Sequence, residues 1–194
     1  MITRPDGRVP HLAHGQIYLR PHERSDIPLF VEWFADARTS RTLGMRMPVS
    51  TQMEEAWYES MTADQGKTRY GFTACLLADD RPIGSIGLFD LDLIDGTAAM
   101  GLSVGLEGDR GHGYGTDMIL ALLAFGFEQL RLEHIWLEAF EYNPDARRLY
   151  ERIGFVHEGT FRSRRFADGR RWDEFHYSML AAEWRARTLA GVER

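Results

Sequence analysis

The feature that most constrains this chain is a run of alternating glycines, Gly111, Gly113 and Gly115, interleaved with His112 and Tyr114. It stands between a segment that reads as a strand, 97–106, and an apolar helix that starts near Thr116. Glycine lets a backbone adopt left-handed conformations and approach a ligand closely. The free N–H groups of a helix start, with the helix dipole behind them, favour a bound phosphate, and Arg110 adds a planar donor pair. The same residues also suit a tight turn that holds nothing. Two nucleotide patterns fail on the residues themselves. A dinucleotide fingerprint finds Thr116 where its third glycine belongs, and here the loop follows a β-meander rather than the first strand of a βαβ unit. A P-loop requires Gly-Lys-Ser/Thr, and the single lysine is Lys67, far upstream.

The remaining chain reads as one folding unit. Residues 1–15, rich in Pro, Gly, His and Arg, predict a flexible tail, and 16–194 a single domain, the usual size for that length. Residues 17–20 predict a strand ended by Pro21, and Ser25-Asp26 a cap for a helix to about Ala37 with Pro28 in its first turn. A second helix is expected over about 50–63, begun by Ser50 or Thr51. Strands over 70–78, 82–91 and 97–106, turned at residues 79–82 and at Asp95-Gly96, predict an antiparallel meander. A helix over about 116–130 leads to a strand over 134–140, in which Ile135, Leu137 and Ala139 alternate with Trp136, Glu138 and Phe140.

The segment after that strand is the second dense signal. Asn143 can cap a helix, Pro144 suits its first position and Gly154 ends it. Ala146, Leu149, Tyr150 and Ile153 form its apolar stripe. Tyr150 lies two turns beyond Asn143, so both can point to one side. By itself this is an ordinary capped helix with a tyrosine packed on its apolar face.

Taken together, Arg110-x-x-Gly113-x-Gly115 between strand and helix, and Asn143, Ala146, Leu149, Tyr150, Gly154 and Phe155, resemble the signatures of the GNAT N-acetyltransferase superfamily. The runs 154–162, Asp168-Gly169, Asp173, Glu183-Trp184, and the opening 17–21 with 25–27, are similar to its Rim-type and spermidine-acetyltransferase branch. The likeness spans about residues 16–184. It implies an α+β fold with a mixed, mainly antiparallel twisted sheet of about seven strands and helices on both faces, the cofactor entering where the fourth and fifth strands splay. It implies that Arg110, Gly111, His112, Gly113, Tyr114, Gly115 and Thr116 hold the pyrophosphate of acetyl-CoA. Backbone groups near Ser103 and Val104 and the side chain of Asn143 would contact the pantetheine arm. In the family the strand ahead of the loop carries a bulge, which Gly101 and Gly105 would suit.

Acetylating an amine requires a neutral nitrogen, a polarised thioester carbonyl and an acid for the leaving sulfur. The resemblance makes Tyr150 the acid and Glu138 the base, Glu138 being equally readable as a surface carboxylate. The branch's common glutamate before the fourth strand's Met-Gly is replaced by Ala99. Direct transfer in a ternary complex is expected, with no metal and no acyl-enzyme. The acceptor is a small-molecule amine, a polyamine or a protein N-terminus, with residues 25–69 lining its pocket, and a homodimer is admitted as the assembly. The alternative is a non-catalytic acyl-CoA sensor or scaffold; a nucleotide-binding loop is a third reading.

Composition bounds these readings. A net charge of −6 disfavours nucleic acid as a partner. No apolar run reaches a membrane span, and one cysteine, Cys75, excludes an internal disulfide and a cysteine-built zinc site; a cytoplasmic protein is expected. Residues 147–171 carry eight arginines against Glu151, Glu158 and Asp168. That run is either a solvated surface or a basic rim for an anionic cofactor.

Overall fold

The computed structural model describes residues 2–189. The outermost residues of the tail and of the 16–194 domain lie outside them. Eight strands form one sheet in the order β1-β2-β3-β4-β5-β6-β8-β7. They are β1 (Leu12–His14), β2 (Ile17–Pro21), β3 (Tyr70–Leu76), β4 (Pro82–Asp92), β5 (Thr97–Val104), β6 (His134–Phe140), β7 (Val156–Ala167) and β8 (Arg170–Leu180). Every pairing is antiparallel except β5 with β6. The helices are α1 (Ile27–Ala35), α2 (Ala37–Thr42), α3 (Thr51–Asp64), α4 (Tyr114–Ala124), α5 (Pro144–Ile153) and α6 (Ala181–Leu189).

The eighth strand, one more than expected, comes from the presumed tail. Residues 12–14 pair with β2, so this part of 1–15 is held rather than loose. Gly15, left-handed at φ +51°, closes the turn, and the carboxylate of Asp117 at the head of α4 accepts from Gln16 N–H and meets His14 Nδ1 at 3.0 Å. Sequence could not show this, because the anchor lies about a hundred residues away.

Strand alternation assigns the two faces. In β2, Ile17 and Leu19 enter the main core, together with the buried side of α4 (Met118 to Leu123) and with Ile135, Leu137 and Ala139 of β6. Arg20 points to the opposite face and grips Asp26 ahead of α1 through two bonds of 2.7 Å. There Phe30, Trp33 and Phe34 of α1 pack against Trp57 of α3. Asp26 therefore does not cap α1 with its side chain, as its position beside Ser25 predicts. It is buried at 2 % exposure and accepts from Arg20, from Thr73 Oγ1 at 2.8 Å and from Glu23 N–H at 2.9 Å. Burial opposes its charge, but those bonds outweigh it and lower its pKa. Ser50 and Asn143 do cap their helices, accepting from Met53 N–H at 3.2 Å and Ala146 N–H at 3.3 Å. The short helix α2 carries no sequence signal of its own; Asp36, accepting from Arg38 and Thr39 N–H, starts it.

Candidate active site

β5 and β6 pair in parallel only over Thr97↔His134, Ala98↔Ile135 and Ala99↔Trp136. Beyond Ala99 the strands diverge and leave an edge of each unpaired with the other. A cavity of about 1120 Å³ occupies this fork. β5 from Ala99 to Val104, the glycine loop, and α5 from Pro144 to Arg152 line one end. Thr42 and Leu43 at the end of α2, Phe89, Trp136, Glu138, Phe140 and Arg165 line the other.

At the first end the loop is built to hold an anion. Gly111 and Gly113 are left-handed at φ +82° and +88°, a region that costs other residues energy. Gly113 stands at the N-cap of α4, and no group among the described residues accepts from the backbone N–H of residues 111 to 115. Arg110 lines the cavity with Nη2 bonded to Thr39 Oγ1 at 2.7 Å, tying the loop to α2. Asp109, bound twice by Arg81 at 2.8 and 2.9 Å, fixes the loop's start. Gly113, Tyr114, Gly115 and Thr116 also face the cavity. His112 does not: its ring stacks on Tyr114 and its Nδ1 lies 3.1 Å from the Arg110 carbonyl.

Tyr150 projects from α5 among Phe155 and Tyr177, only 8 % exposed, yet lines the cavity. Its hydroxyl has no hydrogen-bond partner among the described residues, and burial pushes its pKa up to about 12. The phenol is therefore protonated at neutral pH and available as a donor. Asn143 fronts the same space, as do Arg148 and Arg152, one turn apart on α5. Ser103 and Val104 lie on β5 past the fork. Cys75 is buried between β2 and β4, and burial raises its thiol pKa.

The bulge that Gly101 and Gly105 suit is absent. Register between β4 and β5 runs unbroken from Gly84↔Val104 to Phe89↔Ala99. These glycines instead make room for rings: Phe89 lies over Gly101 and Trp33 over Gly105. The irregularity falls on β4, where Asp90 and Leu91 stand between the pairs Phe89↔Ala99 and Asp92↔Thr97.

At the second end, Arg165 from β7 donates to Glu138 Oε2 at 2.9 Å and binds the buried carboxylate of Glu174. His176 lies 3.2 Å from Glu174 and 3.9 Å from Glu138. Glu138, Glu174 and His176 could group their ligand atoms within 4.8 Å, but the Arg165 guanidinium already supplies the positive charge between the two carboxylates. Sequence reasoning missed Thr39, Asp90, Arg165 and Glu174. Only the arginine-rich run at 147–171 hinted at any of them.

Comparison with known proteins bears on the same geometry. The profile of the acetyltransferase (GNAT) domain matches residues 16–156. The uncharacterized N-acetyltransferase YokL, derived from the SPbeta prophage of Bacillus subtilis, is 29 % identical over 176 residues, covering 91 % of this chain and 96 % of that protein. A spermidine N(1)-acetyltransferase of Vibrio cholerae is 27 % identical over 172 residues, covering 88 % and 96 %. The crystal structure of Vibrio cholerae spermidine N-acetyltransferase in complex with CoA and spermine superposes with a TM-score of 0.81 at 24 % identity, covering 87 % of this chain and 98 % of that one.

Proposed function

This chain belongs to the GNAT acetyltransferase family, and from that premise we propose that it moves acetyl from acetyl-CoA to a primary amine lodged in the fork of β5 and β6. One observation carries the reading: an unpartnered row of loop N–H groups and a protonated, unpartnered Tyr150 hydroxyl open onto one cavity. The residues fit the cofactor, since a pyrophosphate needs N–H donors in a concave backbone and cations near it. The N–H groups of Gly111, Gly113, Tyr114 and Gly115 on the cavity wall supply the donors, that of His112 lies beside them in the same loop, and Arg110, Arg148 and Arg152 supply the cations. Of the arginine-rich run, Arg148, Arg152 and Arg165 face the cavity.

When bound, acetyl-CoA supplies a thioester carbonyl carbon that the amine nitrogen attacks, giving an amide and a free thiol. Unpaired backbone N–H groups of β5 near Ser103 and Val104 would hold the arm and polarise the carbonyl. The Asn143 side chain would steady the arm. Tyr150 would give its proton to the leaving sulfur. Glu138 would take the proton lost by the amine, directly or through water, with Arg165 fixing its orientation.

The acceptor is a small-molecule amine, a polyamine or a protein N-terminus; the relatives named for spermidine support the polyamine. The catalytic unit proposed is residues 16–194. Edge strand β7 exposes Val156, Phe161 and Phe166, which supports association, proposed as a homodimer. No helix among the described residues is long and apolar enough to cross a membrane; the buried, free Cys75 supports action in the reducing cytoplasm. The test is calorimetry with acetyl-CoA beside a thiol-release assay on spermidine, phenethylamine and an alanine-ended peptide. Binding with turnover of one amine is expected. Binding without turnover of any amine would favour an acyl-CoA sensor, and no binding would overturn the reading.

A further inference from the structure

Four carboxylates line the cavity: Asp90, Asp109, Glu138 and Asp145. Three are already matched with cations, Asp109 with Arg81, Glu138 with Arg165 and Asp145 with Arg148. Asp90 has no hydrogen bond and no ion pair among the described residues. An incoming ammonium group would have to displace a guanidinium at each of the other three, and displaces only water at Asp90.

The backbone explains why Asp90 faces the cavity at all. In β4, Ile86 and Leu88 point into the main core, while Phe89 points into the fork. Strict alternation would send Asp90 back toward the core beside Leu88. Two β4 residues, Asp90 and Leu91, instead stand opposite the single β5 residue Ala98, a bulge that re-aims the side chain. Asp90 takes φ +47° to do so, a left-handed conformation that glycine would adopt without cost. Backbone strain of this kind concentrates at sites of function. The bulge adjoins the pair Phe89↔Ala99, and Ala99 is also the last residue of β5 paired to β6 before the fork. Phe89 and Trp136 line the cavity there, with ring faces that attract cations.

We infer that Asp90 is the specificity-determining residue for the acceptor, receiving the ammonium group of a cationic amine at the closed end of the β5–β6 fork. This rests on the acetyltransferase reading above and names the charge that selects the acceptor.

The test uses the full chain with Asp90→Asn, which removes the charge and keeps the shape, and Asp90→Gly, which removes the side chain, both compatible with a left-handed backbone. Thiol release is followed on spermidine, phenethylamine and the alanine-ended peptide. For whichever amine the parent acetylates, both variants should raise the amine KM about tenfold or more while the acetyl-CoA KM stays within about twofold, the scale of a lost charge-assisted contact. Asp90→Gly should melt no lower than the parent. An active parent with an unchanged amine KM in Asp90→Asn would overturn the assignment and leave the acetyltransferase reading standing. So would an equal rise in both KM values. A parent inactive on every amine would overturn both together.

Discussion

The wall of the cavity formed by the glycine loop and α5, and the wall formed by the end of α2, β4, β6 and Arg165 of β7, open onto the same fork. The first offers mainly backbone: N–H groups of 111–115 without partners and two left-handed glycines. The second offers side chains from distant positions, with Arg165 joining Glu138 to Glu174, and Asp90 set by a bulge next to Phe89. A cofactor that never changes is suited by backbone donors, which no single side-chain substitution removes. An acceptor that differs between family members is suited by side chains, which can change while the frame stays.

Removing the side chain on the first wall proposed as the acid should give the largest effect. Tyr150→Phe should lower kcat by about 10²–10⁴-fold, with acetyl-CoA binding by calorimetry unaltered. Retained turnover would move the acid elsewhere and blur the contrast between the walls.

Next comes the frame behind the second wall. Asp26→Ala leaves Arg20 and Thr73 without their buried acceptor and should cost about 3 kcal/mol, lowering Tm by roughly 6–12 °C. A smaller loss by calorimetric melting would mean that this face is held by the Phe30–Trp57 cluster instead.

The loop allows a sharper comparison between two glycines. Gly113→Ala keeps open space around the new methyl but sits at φ +88°, a penalty of about 1–2 kcal/mol that should weaken acetyl-CoA about tenfold. At Gly115 the same methyl meets Leu149 at an ordinary 3.5 Å with no left-handed strain. Calorimetry should show Gly115→Ala binding more tightly than Gly113→Ala. The reverse order would mean that ligand proximity at 115, not loop conformation at 113, controls affinity.

The smallest effect is electrostatic and lies in α3. Burial raises the Glu54 carboxyl from its ordinary 4.5 to about 7. The folded state thus binds a proton that the unfolded state releases between those values. Its cost to stability begins near pH 4.5 and is complete above about pH 7. Glu54→Gln should stabilise the protein at pH 8 by on the order of 1 kcal/mol and leave it unchanged at pH 4. An equal gain at both pH values in urea melts would assign the effect to packing.

The sequence by itself determined the first wall. Asn143-Pro144 and Gly154 bound α5, the spacing to Tyr150 follows from helix pitch, and Gly111, Gly113 and Gly115 mark the loop, because caps and left-handed turns are settled within a few residues of chain. The β6 alternation was equally legible and set Trp136, Glu138 and Phe140, which line the cavity, apart from Ile135, Leu137 and Ala139 of the core. Tertiary structure decided what depends on register between segments far apart in the chain. The grip of Asp117 on the β1–β2 turn spans 101 residues to Gln16 and turns part of the expected tail into a strand. Arg165 reaches Glu138 across β8, 27 residues away. The bulge moved from the glycines of β5 to Asp90 on β4, because which residue is left unpaired is fixed by how two strands slide against each other, and no local pattern in either strand records that offset.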